Sequence, residues 1–375
     1  MSGDTVVPLT EPVSGKPRQG RVKCVVWDLD NTLWDGVLLE DAQVTPKAEV
    51  VAVIEELDRR GVLHSIASRN DPELALRRLT EFGLHEYFLY PQISWNDKST
   101  AVEAVAKSLN IGIDAIAFVD DQDYELAEVR FVHPEVVGVR AGDVPRLLDL
   151  PEFTPRFVTE ESRARRAMYR SGIDRDQAEQ DFAGRNEEFL ATLDMVFTIA
   201  PADPDDLKRA EELTVRTNQL NSTGVTYSYA ELDHFRASSD HLLLVAGLDD
   251  RFGSYGKIGL ALVDTGGAVW RLKLLLMSCR VLSRGVGGVL LNHIMRLAAE
   301  HGAALEAELV DTGRNRMMFV TYRFAGFTQV RAENSIAVLR ADPGRIADPP
   351  TYLTLVCAPI ADAATDPATE SGADG

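Results

Sequence analysis

The chain has 375 residues, 45% hydrophobic and 26% charged, which is ordinary globular usage and enough length for two or three domains that each bury a core. Its formal charge of -19 repels nucleic acid and anionic membrane surfaces, and no apolar run reaches the roughly 20 residues that span a bilayer, so neither partner is expected. Three scattered cysteines, Cys24, Cys279 and Cys357, make neither a disulfide framework nor a paired-cysteine zinc site.

Residues 1–20 lack the basic and then apolar segment of a secretory signal, so they read as a flexible leader on a cytoplasmic protein. The run VKCVVWDL is apolar and β-branched and predicts a buried strand ending at Asp28. A helix follows from Pro46 to Arg60, with Gly61 as its C-terminal cap, and then a strand, VLHSIAS, ending at Ser68. Asp71 and Pro72 open another helix as N-cap and first helical residue. YFLYPQISW reads as a short strand, Lys98 heads a helix to Leu109, and AIAFVDD reads as a buried strand ending in Asp120 and Asp121. Repeated strand–helix–strand order predicts a doubly wound parallel sheet over residues 21–155, with its site at the carboxyl edge.

Residues 156–190 are strongly charged, with Arg163, Arg166 and Arg170 at helical spacing, and read as a linker helix with a solvated face. A second α/β pattern occupies 191–345: LLLVAGLDD, KIGLALVDT and VWRLKLLLMSC are strands, with Gly266 and Gly267 in a hairpin turn. SRGVGG then leads into the helix VLLNHIMRLAAEHG. From Arg280 to Arg323 six arginines face four acids, which predicts a locally basic surface. Residues 346–375 turn to Ala, Asp, Pro and Thr and read as a mostly disordered tail.

Asp28 and Asp30 stand one residue apart just past a buried strand, and the same sheet edge collects Ser68, Lys98, Asp120 and Asp121. Phosphoryl transfer needs such a set: a carboxylate to attack phosphorus, a divalent cation and a lysine to neutralise the oxygens, and a hydroxyl to orient them. WDLDNTLW, SIASRND, Lys98 and FVDD resemble, in order, the four motifs of the haloacid-dehalogenase (HAD) superfamily of phosphatases. The resemblance implies that Asp28 is the nucleophile and that Asp30 protonates the leaving oxygen and then activates water. It also implies that Asp28, Asp30 through its carbonyl, Asp120 and Asp121 hold Mg2+, while Ser68 and Lys98 bind phosphate. The short intervals from Asp30 to Ser68 and from Ser68 to Lys98 are used up by core helices and strands, so no cap domain fits, and the resemblance then implies a bulky or protein-borne substrate.

In the second pattern, Cys279 ends an apolar strand beside the glycine-rich SRGVGG turn, where backbone N–H groups, Arg280 and Arg284 favour a thiolate. Cys24 and Cys357 lack such surroundings and read as structural. RVLSRGVGGVLL, with Asn315 and TYRFAGF, resembles the pyrophosphate loop and C-terminal end of the GNAT-type N-acetyltransferase fold, whose glycine turn cradles coenzyme A phosphates. Arg280, Arg284, Gly285, Gly287, Asn218 and Asn221 are therefore expected to bind the acyl group or a pantetheine arm.

A capless HAD-like domain followed by an acetyltransferase-like domain is similar to the FkbH-like family (HAD superfamily subfamily IIIC), the glyceryl transferase/phosphatases of polyketide biosynthesis. The similarity lies in CVVWDLDNTLWDGVLLED, LHSIASRND, EELTVRTNQLNSTG, DRFGSYGKIGLALV and LKLLLMSCRVLSRGVG. It implies an enzyme that loads the acyl group of 1,3-bisphosphoglycerate onto a cysteine, here Cys279, removes the remaining phosphate, and passes glyceryl to the phosphopantetheine arm of an acyl carrier protein. The competing reading is a magnesium-dependent phosphatase fused to an acyl-CoA-dependent N-acetyltransferase. Because carrier proteins are usually acidic too, docking is expected on Arg163, Arg166, Arg170, Arg314 and Arg316.

Overall fold

β1 (Cys24–Trp27) buries all four of its side chains, which an apolar strand can do only when both sheet faces are covered. In chain order it is followed by a ribbon of β2 (Trp34–Asp35) and β3 (Thr45–Pro46), then α1 (Ala48–Arg59), β4 (Leu63–Ser68), α2 (Pro72–Glu81), β5 (Gln92–Ile93), α3 (Lys98–Ser108), β6 (Ile116–Asp120), α4 (Asp123–Val132), β7 (Val137–Arg140) and α5 (Glu160–Arg163). This computed structural model describes residues 20–41, 43–217 and 219–360; most of the expected leader and the last fifteen residues of the expected tail lie outside them. The chain divides into two compact units after Ile173, within α6 (Arg165–Gln180).

The first unit is a five-stranded sheet in the order β5-β4-β1-β6-β7, with every pair parallel. Apolar residues of α1 (Val50, Val53, Ile54, Leu57) recur at helical spacing and are buried against the sheet's core, as the sequence pattern predicts. Asp71 caps α2 as expected, its carboxylate accepting a hydrogen bond from the Leu74 N–H at 2.9 Å, with Pro72 at the first helical position. The strand expected in YFLYPQISW shrinks to the two residues of β5, and Trp95 beyond it is exposed. Pairing of Trp27 with Ile66 and with Val119 ends β1, β4 and β6 at one edge. No inserted domain interrupts the described residues there: β2, β3, α1 and β4 fill Asp30 to Ser68, and α2 and β5 fill Ser68 to Lys98.

The second unit continues with α7 (Asn186–Ala191), β8 (Met195–Pro201), α8 (Leu207–Arg216), α9 (Tyr229–Ala237), β9 (His241–Asp250), β10 (Gly253–Asp264), β11 (Val269–Met277), α10 (Val286–Glu300), β12 (Ala304–Leu309), α11 (Arg316–Phe324), β13 (Thr328–Glu333), β14 (Ile336–Arg340) and β15 (Leu353–Cys357). Its eight-stranded sheet runs β13-β14-β12-β11-β10-β9-β8-β15. β11 and β12 pair in parallel through Leu272 and Ala307. Past Leu272, the chain's own segment 220–222 bonds to β11 instead: the Met277 N–H donates to the Leu220 carbonyl at 2.9 Å and the Ser222 N–H to the Leu275 carbonyl at 2.9 Å.

Two sequence expectations fail here. Part of the expected tail is β15, which pairs in parallel with β8 and buries Leu353, because alternating Leu353 and Leu355 find apolar cover that composition does not show. The charged 156–190 stretch is helical but not merely a solvated face: Arg165 and Arg175 are buried. The Arg175 guanidinium donates to both carboxylate oxygens of Asp250, at 2.6 and 2.8 Å, and lies over the Tyr255 ring at 4.1 Å. Among the described residues no helix is long and apolar enough to cross a membrane.

Truncating one partner of a buried pair strands the other charge. Asp250→Ala is therefore expected to lower the unfolding free energy in urea by about 3–5 kcal/mol, and a change near zero would show that Arg175 does not anchor this unit.

Candidate active site

Because β1, β4 and β6 end together, Asp28, Ser68, Asp120 and Asp121 emerge at one sheet edge and the first residue of α3, Lys98, reaches back to it. Lys98 is 3% exposed, and its ammonium donates to Asp28 Oδ1 at 2.5 Å, to Asp120 Oδ2 at 3.1 Å and to the Ala67 carbonyl at 2.9 Å. Asp28, Asp120 and Asp121 each bring a carboxylate oxygen within 4.8 Å of the others. The Asp30 side chain lies outside this trio. Its Oδ1 accepts from the Trp34 indole N–H at 2.8 Å and the Leu38 N–H at 3.1 Å, and its Oδ2 from the Asn70 amide at 3.0 Å. Ser68 is buried at the end of β4.

Burial and the neighbouring Asp28 carboxylate push the Asp120 pKa up to about 6. Burial also raises Asp121 and Asp30, with Asp28 adding to both. Burial disfavours the Lys98 ammonium, but Asp28 and Asp120 outweigh it and hold its pKa above the ordinary lysine value. Asp28, Asp30, Asp120 and Asp121 outnumber the Lys98 ammonium among them, which is the condition under which a hard divalent cation binds. Oxygens about 2.1 Å from a shared Mg2+ are at most about 4.2 Å apart, so the trio fits such an ion after small side-chain shifts.

Trp34 and Asn70 hold Asp30, and sequence reasoning does not single them out. Both lie inside the quoted motifs, and the i, i+4 placement of Trp34 was a usable local signal. Asn70 meets Asp30 only through the fold.

In the second unit, β11 stops at Met277 rather than at Cys279, which instead opens a 3-10 turn, Cys279–Arg284. Cys279 is half-buried and not in a disulfide. Gly285 follows in the left-handed conformation (φ 73°) and starts α10, with Gly287 in the helix's first turn. Arg280 reaches the Ser278 hydroxyl at 3.3 Å. Arg284 corrects the sequence reading: its guanidinium is inside the fold, donating to Glu179 at 3.0 Å, so it is not a surface for a pantetheine arm. Asn221 is a second correction. It is buried, its side-chain oxygen accepts from the Thr223 and Gly224 N–H groups at 3.1 and 2.8 Å, and Asn315 donates to its carbonyl at 2.9 Å; both asparagines build a loop. Asn218 lies outside the described residues. The expected basic surface is thinned by Arg284 and by Arg296, which pairs with Asp348 at 3.2 Å.

No protein-family model matches the chain, and no curated protein matches it. Among solved structures it is similar to the N-terminal part of a Bacteroides fragilis protein containing a phosphatase domain complexed with Mg, at 26% identity over 34% of this chain and 39% of that one, TM-score 0.31. It is also similar to an N-acetyltransferase from Thermoplasma acidophilum in complex with coenzyme A, at 16% identity over 39% of this chain and 98% of that one, TM-score 0.32. A third likeness is to a GNAT domain from S. lividans, at 22% identity over 38% of this chain and 88% of that one, TM-score 0.31. The chain spans 39% of the first of these structures, and at these TM-scores the chemistry rests on the side chains described above.

Proposed function

We propose that the chain is a bifunctional enzyme: a magnesium-dependent phosphatase in the first unit, and in the second an acyltransferase that carries glyceryl from 1,3-bisphosphoglycerate on Cys279 to the phosphopantetheine thiol of an acyl carrier protein. The observation that carries the phosphatase reading is Lys98 bridging Asp28 and Asp120, with an oxygen of Asp121 close by. Asp28, Asp120 and Asp121 would hold magnesium, which when bound neutralises phosphoryl oxygens.

Asp28 is the nucleophile: a carboxylate oxygen attacks phosphorus, the ester oxygen leaves, and an aspartyl phosphate forms. Lys98 offsets the negative charge that gathers there. Asp30, held in place by Trp34, Leu38 and Asn70 and with its pKa raised by burial, carries the proton for the leaving oxygen and then accepts one from the attacking water. The lack of an inserted domain over this edge, among the described residues, suits a substrate borne on a protein.

Cys279 sulfur attacks the acyl-phosphate carbon and releases phosphate, a good leaving group, leaving an enzyme thioester. Transfer to the carrier thiol exchanges one thioester for another, so it needs positioning more than driving force. Of the arginines expected to dock the carrier, Arg163, Arg314 and Arg316 are exposed, while Arg166 pairs with Asp58 at 2.9 Å and Arg170 with Glu86 at 2.9 Å. The second reading, an acyl-CoA-dependent N-acetyltransferase in place of the Cys279 chemistry, is favoured by the left-handed Gly285 at the start of α10.

Intact mass separates the two readings. An acyl adduct after incubation with 1,3-bisphosphoglycerate that is lost in Cys279→Ala is expected; amine acetylation at full rate in that variant would replace the acyl-carrier reading. Asp28→Asn is expected to lower phosphate release by at least about a thousandfold, and unchanged release would remove the nucleophile assignment. Magnesium at a hundred times its Kd should stabilise the fold by about 2.7 kcal/mol. Thermal melts should show that shift in the wild type and not in Asp120→Asn; an equal shift in both would place the ion elsewhere.

A further inference from the structure

Cys357 is the last residue of β15, and the sequence reading takes it as structural, as it does Cys24. Cys24 fits: it is fully buried and burial pushes its thiol up. Cys357 does not. It is exposed, and its Sγ lies 3.6 Å from Nδ1 of His293 on α10, a hydrogen-bonding distance for sulfur. His293 is one turn from Val289 and from Arg296 along the helix, so the three share a face.

Val289 and Arg296, with Gly288 and Asn292, wall a cleft of ≈ 180 Å³, bounded on the other side by the 347–350 segment and Leu355. Leu355 is two residues before Cys357 in the strand, hence on the same side of the sheet, so thiol and imidazole neighbour residues that line the cleft. Arg296 lines it and is tethered to Asp348 and to the Ala347 carbonyl, at 3.2 and 3.3 Å. Burial, helped by Arg296 and opposed by Glu300, keeps His293 below its ordinary pKa, which favours the neutral imidazole. Burial raises the Cys357 thiol, and Arg296 works against that rise. The resting pair is therefore a thiol beside a free base, with a cation near the sulfur. At the far end, α10 begins with Gly285 and Gly288, and nothing lies within 4 Å of the place a Cβ on Gly288 would take. Backbone N–H groups at a helix start attract anions, and the walls between, Val289, Pro350 and Leu355, are apolar.

We propose that Cys357 and His293 form a second nucleophile–base pair, which accepts the acyl group of a thioester whose phosphate-bearing arm lies along this cleft toward the start of α10. His293 Nδ1 takes the Sγ proton as the sulfur adds to the thioester carbonyl carbon. The bond from that carbon to the departing sulfur breaks, and the departing thiolate takes the proton from His293, giving a Cys357 thioester and a free thiol. This step does not depend on the role assigned to Cys279.

The test incubates the full chain with acetyl-coenzyme A and, separately, with the acetyl thioester of N-acetylcysteamine, which has no phosphate, and reads acetyl on the Cys357 peptide by mass spectrometry. Acetylation is expected in the wild type and equally in Cys279→Ala, at least about tenfold slower in His293→Asn, and faster with the phosphate-bearing donor at equal concentration. Cys357→Ser should remove the adduct and leave phosphate release unchanged. An unmodified Cys357, or equal rates in the wild type and a folded His293→Asn, would overturn the pair. Equal rates with the two donors would overturn the phosphate-bearing arm.

Discussion

A buried ammonium ion is tolerated only where oxygens surround it, and Lys98 meets that demand with two carboxylates and a carbonyl drawn from three different strand ends. The same contact solves the converse difficulty, because Asp28 and Asp120 side by side and out of water would repel each other. Only a parallel sheet whose neighbouring strands stop in register brings these groups within reach of one lysine. That constraint accounts for the register of β1 with β4 and β6 and for where α3 begins. It leaves the trio of carboxylates under-neutralised, which is what a metal-assisted attack on phosphorus requires.

The second unit uses its polar residues differently. Arg175, Arg284, Asn221 and Asn315 are all spent on holding the fold, satisfying buried charges and loop carbonyls. The sulfur chemistry proposed for it lies at Cys279, in the turn after β11, and at Cys357, at the end of β15 beside His293 of α10. Cys279 lies just before the glycine-rich start of α10, and Cys357 reaches His293 two turns further along that helix.

Much of the first unit was legible in sequence because its signals are local. Buried strands announce themselves as apolar runs, Asp71-Pro72 is a helix start wherever it stands, and Asp28, Lys98 and Asp120 sit at the ends of such runs. What was not legible depends on contacts distant in sequence. Nothing near Asn70 shows that it donates to Asp30, and nothing near Arg284 shows that Glu179 will consume its charge. β15 was hidden for a similar reason: five residues in an Ala- and Pro-rich stretch become a strand because β8 offers an unpaired edge. Cys357 looked inert by sequence because its histidine comes from another element of the fold.

The proposed phosphatase depends on Asp28 taking the phosphoryl group. Acid-quenching the enzyme during turnover of the phosphorylated substrate and reducing with borohydride converts an aspartyl phosphate to homoserine. Homoserine is expected at position 28, in the wild type and in Cys279→Ala alike. Substrate turnover with Asp28 unmodified, or the reduced residue at another position, would contradict it.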